Sequence, residues 1–242
     1  MLRYEYKYII PLTKLGQLRV LLEPFMTLDK HAVESGGEYT VRSIYFDTPD
    51  LQCYFDKLAG VSRRNKVRLR GYNIEDDEGT VFFELKKKVN EPLFKNRAKM
   101  TYEEARHLIE GQTLADDAQE NARRFLYHLN ARRMFPVVTV IYEREPYQFI
   151  IKEKNNDLRI TFDKNLRAVA YPSLDDLYEE ENAAPVLPGR FIMEIKFNQY
   201  LPAWVRAMVA GMGLFKGPAS KYAMSIEALG LANGHKNHRA KI

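Results

Sequence analysis

The chain has 242 residues, 45% hydrophobic, 29% charged and 12% aromatic, a composition too apolar for a disordered chain and sufficient for a folded core. Its formal charge of +5 allows an anionic partner without requiring one. Cys53 is the sole cysteine, which excludes an intrachain disulfide; no run approaches ~18 apolar residues, and the start MLRYEYKYII lacks a secretion signal, so a cytoplasmic protein of one domain is expected.

Residues 2–11 set Arg3, Glu5 and Lys7 against Tyr4, Tyr6 and Tyr8, the period of a strand. Thr13 stands where an N-cap is expected, before a helix whose Leu15, Leu18, Leu21, Leu22 and Phe25 recur at helical spacing. A second strand is expected over 39–48, and Pro49-Asp50 opens a short helix that runs to about Leu58 and stops at Gly60. Three sequential strands, 64–72, 80–90 and 92–101, read as a meander, with a polar turn over 73–79. Two helices are expected over 101–133, with Thr101, Glu103 and Glu104 as the start signal and Phe125, Leu126 and Leu129 as the buried stripe. Strands resume over 137–147, 148–153, 158–163 and 191–198, and the acidic stretch 174–182 reads as a surface loop. Helices over 201–211 and 220–229 precede a basic tail at 231–242 that is expected to be mobile.

Alternation along these strands gathers charge. Lys66, Arg68 and Arg70 share one face, as do Glu84, Lys86 and Lys88, then Lys95, Arg97 and Lys99, then Arg3, Glu5 and Lys7, then Glu194 and Lys196. These rows hold eleven basic and three acidic residues, an excess of about eight where the whole chain has +5. The opposite faces carry Val67, Leu69, Val81, Phe83, Leu85, Phe94, Ile192, Ile195 and Phe197, apolar bulk that helices must cover. Closure of the sheet into a barrel would turn the charged rows inward, because interior and exterior positions alternate along each strand. Unpaired like charges ~4 Å apart repel by roughly 4 kcal/mol at an effective dielectric near 20, so such a lumen must be wet or filled by anions. A polyanion fits best, and the few carboxylates suit Mg²⁺ or Mn²⁺ shared with phosphate oxygens.

An ordered set of segments then resembles a known family: Tyr4-Glu5-Tyr6-Lys7-Tyr8, Tyr45-Phe46-Asp47-Thr48, Lys66-Val67-Arg68-Leu69-Arg70, Glu84-Leu85-Lys86, Tyr142-Glu143-Arg144, Leu158-Arg159-Ile160-Thr161-Phe162-Asp163, Met193-Glu194-Ile195-Lys196 and Ser220-Lys221-Tyr222. Together they are similar to the VTC domain of polyphosphate polymerases, a branch of the triphosphate tunnel metalloenzymes, or CYTH superfamily. The resemblance implies an α+β, mainly antiparallel fold: an eight-stranded closed β-barrel, or tunnel, with helices packed outside and at the ends. It implies one domain over 1–230 with a helical insertion at about 101–133. It also implies ATP or another nucleoside triphosphate and inorganic polyphosphate as partners, with Mn²⁺ or Mg²⁺, and transfer of the γ-phosphate onto a growing chain.

On that resemblance Lys7, Arg68, Arg70, Lys86, Arg144 and Lys221 are the expected catalytic residues. Lys95, Arg159, Tyr142 and Ser220 are expected to bind substrate, joined by Lys66 and Arg97 from the charge rows. Glu194 is the expected metal ligand, with Glu5 beside it; Arg3 stands where the wider superfamily's ExExK signature has its first glutamate, which favours the VTC branch. The fused SPX and membrane segments of eukaryotic members are not found in this sequence. A triphosphate or polyphosphate hydrolase of the same fold, with Glu5 or Glu84 orienting water, and a non-catalytic polyphosphate-binding module are the alternatives. His31, His107, His128, His235 and His238 share no metal-ligand spacing; Gly211, Gly213 and Gly217 near Lys216 lack a P-loop pattern; Cys53 and Trp204 read as packing residues.

Overall fold

The computed structural model describes residues 3–62, 64–73, 77–88, 93–111, 119–151 and 156–233, and of residues 87, 88 and 93–95 the backbone alone. Residues 234–242 of the expected tail and 74–76 of the turn over 73–79 lie outside the described residues. Among the described residues ten strands and seven α-helices follow in chain order. They are β1 (Arg3–Pro11), α1 (Leu15–Leu22), β2 (Met26–Leu28), α2 (Lys30–Glu34), β3 (Tyr39–Asp47), α3 (Gln52–Leu58), β4 (Arg64–Tyr72), β5 (Thr80–Lys88) and β6 (Leu93–Thr101). Then come α4 (Tyr102–Ile109), α5 (Glu120–Ala131), β7 (Phe135–Phe149), β8 (Arg159–Ala170), β9 (Ala184–Pro185), β10 (Arg190–Asn198), α6 (Ala203–Gly211) and α7 (Lys221–Ala228).

The chain divides into two compact units. The first comprises Met1–Thr40, Tyr142–Leu166 and Leu187–Ser220, the second Val41–Ile141, Arg167–Val186 and Lys221–Ile242. Strand neighbours follow the path β1-β10-β8-β7-β3-β4-β5-β6, with β2 on β7 and β9 on β8. Its ends are β1 and β6, and among the described residues no pairing joins them, so the closed eight-stranded barrel is corrected to an open sheet of ten strands, eight on the path and two beside it. The physical reason is that alternation reports which side chains share a face; it carries no information on whether the first and last strands bond. The two added strands have three and two residues, too short to show a period.

In the first unit β1 and β10 run antiparallel over Arg3↔Asn198 to Pro11↔Arg190, and β10 pairs β8 from Ile192↔Asp163 to Lys196↔Arg159. The apolar faces of these strands enclose Tyr8, Ile10, Ile160, Phe162, Phe191, Met193 and Ile195 with Leu18 and Leu22 of α1 and Val205 and Met208 of α6. Each large aliphatic buried there contributes about 1.5–3 kcal/mol. Trp204 packs against this cluster, its ring stacked on Phe25 at 4.3 Å. Thr13 makes no cap: α1 follows a 3-10 turn over Leu12–Lys14 and has no side-chain hydrogen bond at its N-terminus.

In the second unit β4, β5 and β6 form the meander that the alternation indicates, and β3 pairs β4 from Val41↔Tyr72 to Phe46↔Val67. Val67, Leu69, Val81, Phe83 and Leu85 face Phe125 and Leu129 of α5, the rings of Phe83 and Phe125 stacking at 4.1 Å. Thr101 starts α4 with a capping box: its hydroxyl accepts from Glu104 N while the Glu104 carboxylate accepts from Thr101 N. The outer edge of β6 is met by the start of α5, where Gln119 takes the Lys99 backbone N–H and donates to the Lys99 carbonyl, and Asn121 donates to the Arg97 carbonyl. Gly71 leaves room for Tyr178, whose hydroxyl would stand 2.7 Å from any Cβ at that position. Where two strands are expected over 137–153, β7 is one strand of 15 residues held at its end by β2.

Candidate functional site

The expected residues divide between the two units, each with its own charged cluster. In the first unit the antiparallel register sets Lys7 opposite Glu194 and Glu5 opposite Lys196, and the four side chains share one face of β1 and β10. Lys7 Nζ lies 2.9 Å from Glu5 and 3.2 Å from Glu194, and Lys196 Nζ lies 3.0 Å from Glu194 and 3.8 Å from Glu5. Lys7 also donates to the Ala219 carbonyl at 3.2 Å, directly before Ser220, which is buried. Burial pushes the Glu5 carboxyl up, but Lys7 and Lys196 outweigh it and hold the group below its ordinary value. Burial lowers the Lys196 ammonium, and Glu194 does not fully offset it.

On β8 the same face continues through Arg159, which is exposed, and Thr161 to Asp163, which is fully buried. Arg144 of β7 forks onto Asp163 through Nε at 2.7 Å and Nη2 at 2.8 Å, and its guanidinium lies 5.2 Å from the ring centre of Tyr142. Burial disfavours the Arg144 charge, yet Asp163 more than restores it and raises the guanidinium well above its ordinary value. Glu5 and Glu194 lie close enough to share both lysines, and Mg²⁺ commonly takes one or two carboxylates and completes its shell with phosphate oxygens and water. Among the described residues no group of three or more His, Cys, Asp or Glu gathers to hold a metal by itself. The donor set therefore fits a divalent cation that arrives with phosphate.

In the second unit Arg68 and Glu84 are cross-strand partners, as are Glu84 and Arg97. Glu84, 2% exposed, takes Arg68 through Nε at 2.7 Å and again through Nη2, with Arg70 at 3.8 Å and Arg97 at 3.6 Å. It is thus the shared counter-ion of three arginines. The Arg97 guanidinium carbon lies over the Phe82 ring, 3.5 Å from its centre. One step along, Lys66 stands directly opposite Lys86, whose other partner is Lys95. The Lys95 side chain lies outside the described residues.

Two acids and a phenol complete the clusters without having been singled out as site residues in the sequence: Asp163, Asp47 and Tyr45. Asp47, fully buried at the end of β3, accepts from the backbone N–H groups of Thr48, Cys53 and Tyr54 and from the Tyr222 hydroxyl. It thereby caps α3, whose start moves to Gln52, and anchors the helix that begins at Lys221, itself buried. Tyr45 accepts from Arg68 Nη1 at 2.8 Å. The available signal was an acid directly after phenylalanine in a strand, in Phe46-Asp47 and Phe162-Asp163 alike.

The family model of the VTC domain matches residues 2–230. Among solved structures the chain is similar to a protein from Pyrococcus horikoshii OT3, at 14% identity over 93% of this chain and 99% of that one, with a TM-score of 0.46. It is also similar to a Hippeastrum protein described as showing a dominant triphosphatase activity, at 16% identity over 93% of this chain and 96% of that one, with a TM-score of 0.49. No curated protein matches the chain in sequence. Among the described residues no helix is long and apolar enough to cross a membrane.

Proposed function

The chain belongs to the VTC-domain family, and on that footing we propose that it is a polyphosphate polymerase, moving the γ-phosphate of ATP onto the end of a growing polyphosphate chain. Membership assigns it a polyphosphate- or triphosphate-related activity; the acceptor and the direction of transfer are the proposal. One observation carries the reading: the register of β4, β5 and β6 places Lys66, Lys86 and Lys95 directly opposite one another. Like charges in directly opposed positions destabilise a sheet. Anions lying along the row relieve that repulsion, and polyphosphate supplies them at every phosphorus.

Phosphoryl transfer asks a protein for positioning and charge neutralisation more than for a covalent nucleophile. Arg68, Arg70, Arg144 and Arg159 supply guanidinium forks for phosphate oxygens, and Lys7, Lys66, Lys86, Lys95 and Lys221 supply compact positive charge. Glu84 and Asp163 fix the planes of Arg68 and Arg144 before phosphate arrives, which reduces the side-chain entropy lost on binding. Glu194 and Glu5 would hold Mn²⁺ or Mg²⁺, which adds positive charge at the phosphate oxygens. The terminal phosphate of the acceptor is already an oxyanion at neutral pH, so transfer needs no strong general base.

Hydrolysis by the same residues requires a carboxylate to orient water. Glu5, with its side chain 43% exposed, is open to that role, whereas Glu84 is enclosed by arginines. Incubation with ATP and Mn²⁺ followed by gel analysis separates the readings. Long polyphosphate supports the polymerase, free phosphate alone supports hydrolysis, and neither product overturns both.

A further inference from the structure

On β5 the residues that alternate onto the charged face include Phe82, Glu84 and Lys86, so an aromatic ring stands in line with the acid and the lysine of the second unit's cluster. Phe82 is partly exposed, and the register sets it opposite Arg70 of β4 and Lys99 of β6. Tyr72, at the end of β4, meets its ring edge-on at 6.0 Å. Arg97 of β6, the cross-strand partner of Glu84, reaches along the face to Phe82 and sets its guanidinium carbon over that ring, 3.5 Å from the centre. The Arg97 Nε lies 3.6 Å from Glu84, and 40% of the side chain is exposed.

Phe82 thus backs one side of a planar cation, Glu84 steadies its edge, and the exposure leaves room for a second flat partner. Nucleobases stack on guanidinium planes as they do on aromatic rings. The spacing suits a nucleotide. Phe82 and Lys86 are four residues apart on one strand, about 13 Å at the rise of an extended chain, and a nucleoside triphosphate is of that order of length from its last phosphate to its base.

We propose that Arg97, backed by Phe82, is the platform on which the nucleobase of the substrate stacks, while Arg68, Arg70 and the lysine row hold its phosphates. The inference deepens the polyphosphate reading and rests on it for the path of the phosphates. It moves Arg97 from the phosphate ligands, where its charge row put it, to the residue that tells a nucleotide from a bare phosphate chain. Stacking needs a π face and no set pattern of hydrogen bonds, so the platform takes any nucleobase.

The test compares dissociation constants for ATP and for tripolyphosphate, which has no base, measured by titration calorimetry on the full chain. Arg97→Lys keeps the charge and removes the plane, Phe82→Leu keeps apolar bulk and removes the ring, and Phe82→Tyr keeps the ring. The first two variants are expected to weaken ATP about fivefold or more, to leave tripolyphosphate within about twofold of wild type, and Phe82→Tyr to bind both as wild type does. Equal weakening of ATP and tripolyphosphate in Arg97→Lys makes Arg97 a phosphate ligand and overturns the proposal, and so does an ATP affinity that neither change moves. If Phe82→Leu does not fold, Arg97→Lys, altered at an exposed side chain, decides alone. A wild-type chain that shows the expected pattern yet makes no polyphosphate counts against the polymerase and leaves the platform standing, whereas one that does not bind ATP overturns the platform.

Discussion

The Tyr222 hydroxyl donates to the Asp47 carboxylate across 2.5 Å, tying the start of α7 to the end of β3. Three backbone N–H groups converge on the same carboxylate, at 2.7 Å from Thr48, 2.9 Å from Cys53 and 3.0 Å from Tyr54. Asp47→Asn turns a pure acceptor into a group that must aim N–H bonds at other donors. A loss on the order of 3 kcal/mol in chemical denaturation is expected, and about 1–2 kcal/mol for Tyr222→Phe, which removes one donor of four. Both variants should also raise the KM for ATP, because Lys221 begins the helix that this bond holds; an unchanged KM would separate Asp47 from the placement of Lys221.

Glu84 opposes Arg68, Arg70 and Arg97 at once, so its removal should move stability and anion affinity in opposite directions. Glu84→Gln leaves three arginines without their shared counter-ion, and a fall on the order of 3 kcal/mol in unfolding free energy is expected. The released cations should bind tripolyphosphate several-fold more tightly at low salt, an advantage that shrinks as salt screens it. Titration calorimetry at two ionic strengths checks both signs.

Arg144 depends on Asp163 for its charge in a buried place. Asp163→Asn strands that charge and should cost about 3–5 kcal/mol, read from urea unfolding. Arg144→Met, which removes the cation and keeps much of the stem, should cost less stability and more tripolyphosphate affinity. An equal stability loss in the two variants would show that the pair acts on folding alone.

Glu145 gives a pH dependence with a defined sign. Burial pushes its carboxyl up, but hydrogen bonds from Arg19 at 2.8 and 2.7 Å, from Tyr147 and from Lys164 at 2.9 Å bring it down to about 2. The folded value is depressed below the unfolded one of about 4.3. The stabilisation is therefore complete above roughly pH 4.3 and is lost as pH falls towards 2. Glu145→Gln should flatten the slope of unfolding free energy against pH between those limits, and a slope equal to wild type would remove Glu145 from the account.

Most of the second unit was legible because its physics is local. The alternation of Arg64–Tyr72, the next strand's Glu84, Lys86 and Lys88, and the Thr101 capping box each depend on neighbours a few residues away. What was missed depends on distant partners. The last residues of β7 stay extended because Met26, Thr27 and Leu28 pair with Phe149, Gln148 and Tyr147. β8 runs on to Ala170, where Arg167 and Ala168 pair with β9. Lys7, Lys66, Arg68, Arg70 and Lys86 stood out in the sequence by their rows, whereas Arg144, Arg159 and Lys221 entered only through the family resemblance. Asp47, Asp163 and Tyr45 take partners far along the chain, at Tyr222, Arg144 and Arg68, so their roles need the third dimension.

The amides on the rim of β6 bear on how the chain behaves in a crowded solution. A final strand offers unsatisfied N–H and C=O groups to any other strand that approaches, which is a route to aggregation. Gln119 occupies both backbone groups of Lys99, and Asn121 occupies the Arg97 carbonyl, so two side chains stand in for an eleventh strand. Lys99 and Arg97 add positive charge along that rim. The charges and amides along the edge of β6 thus discourage one molecule from docking its sheet onto the next.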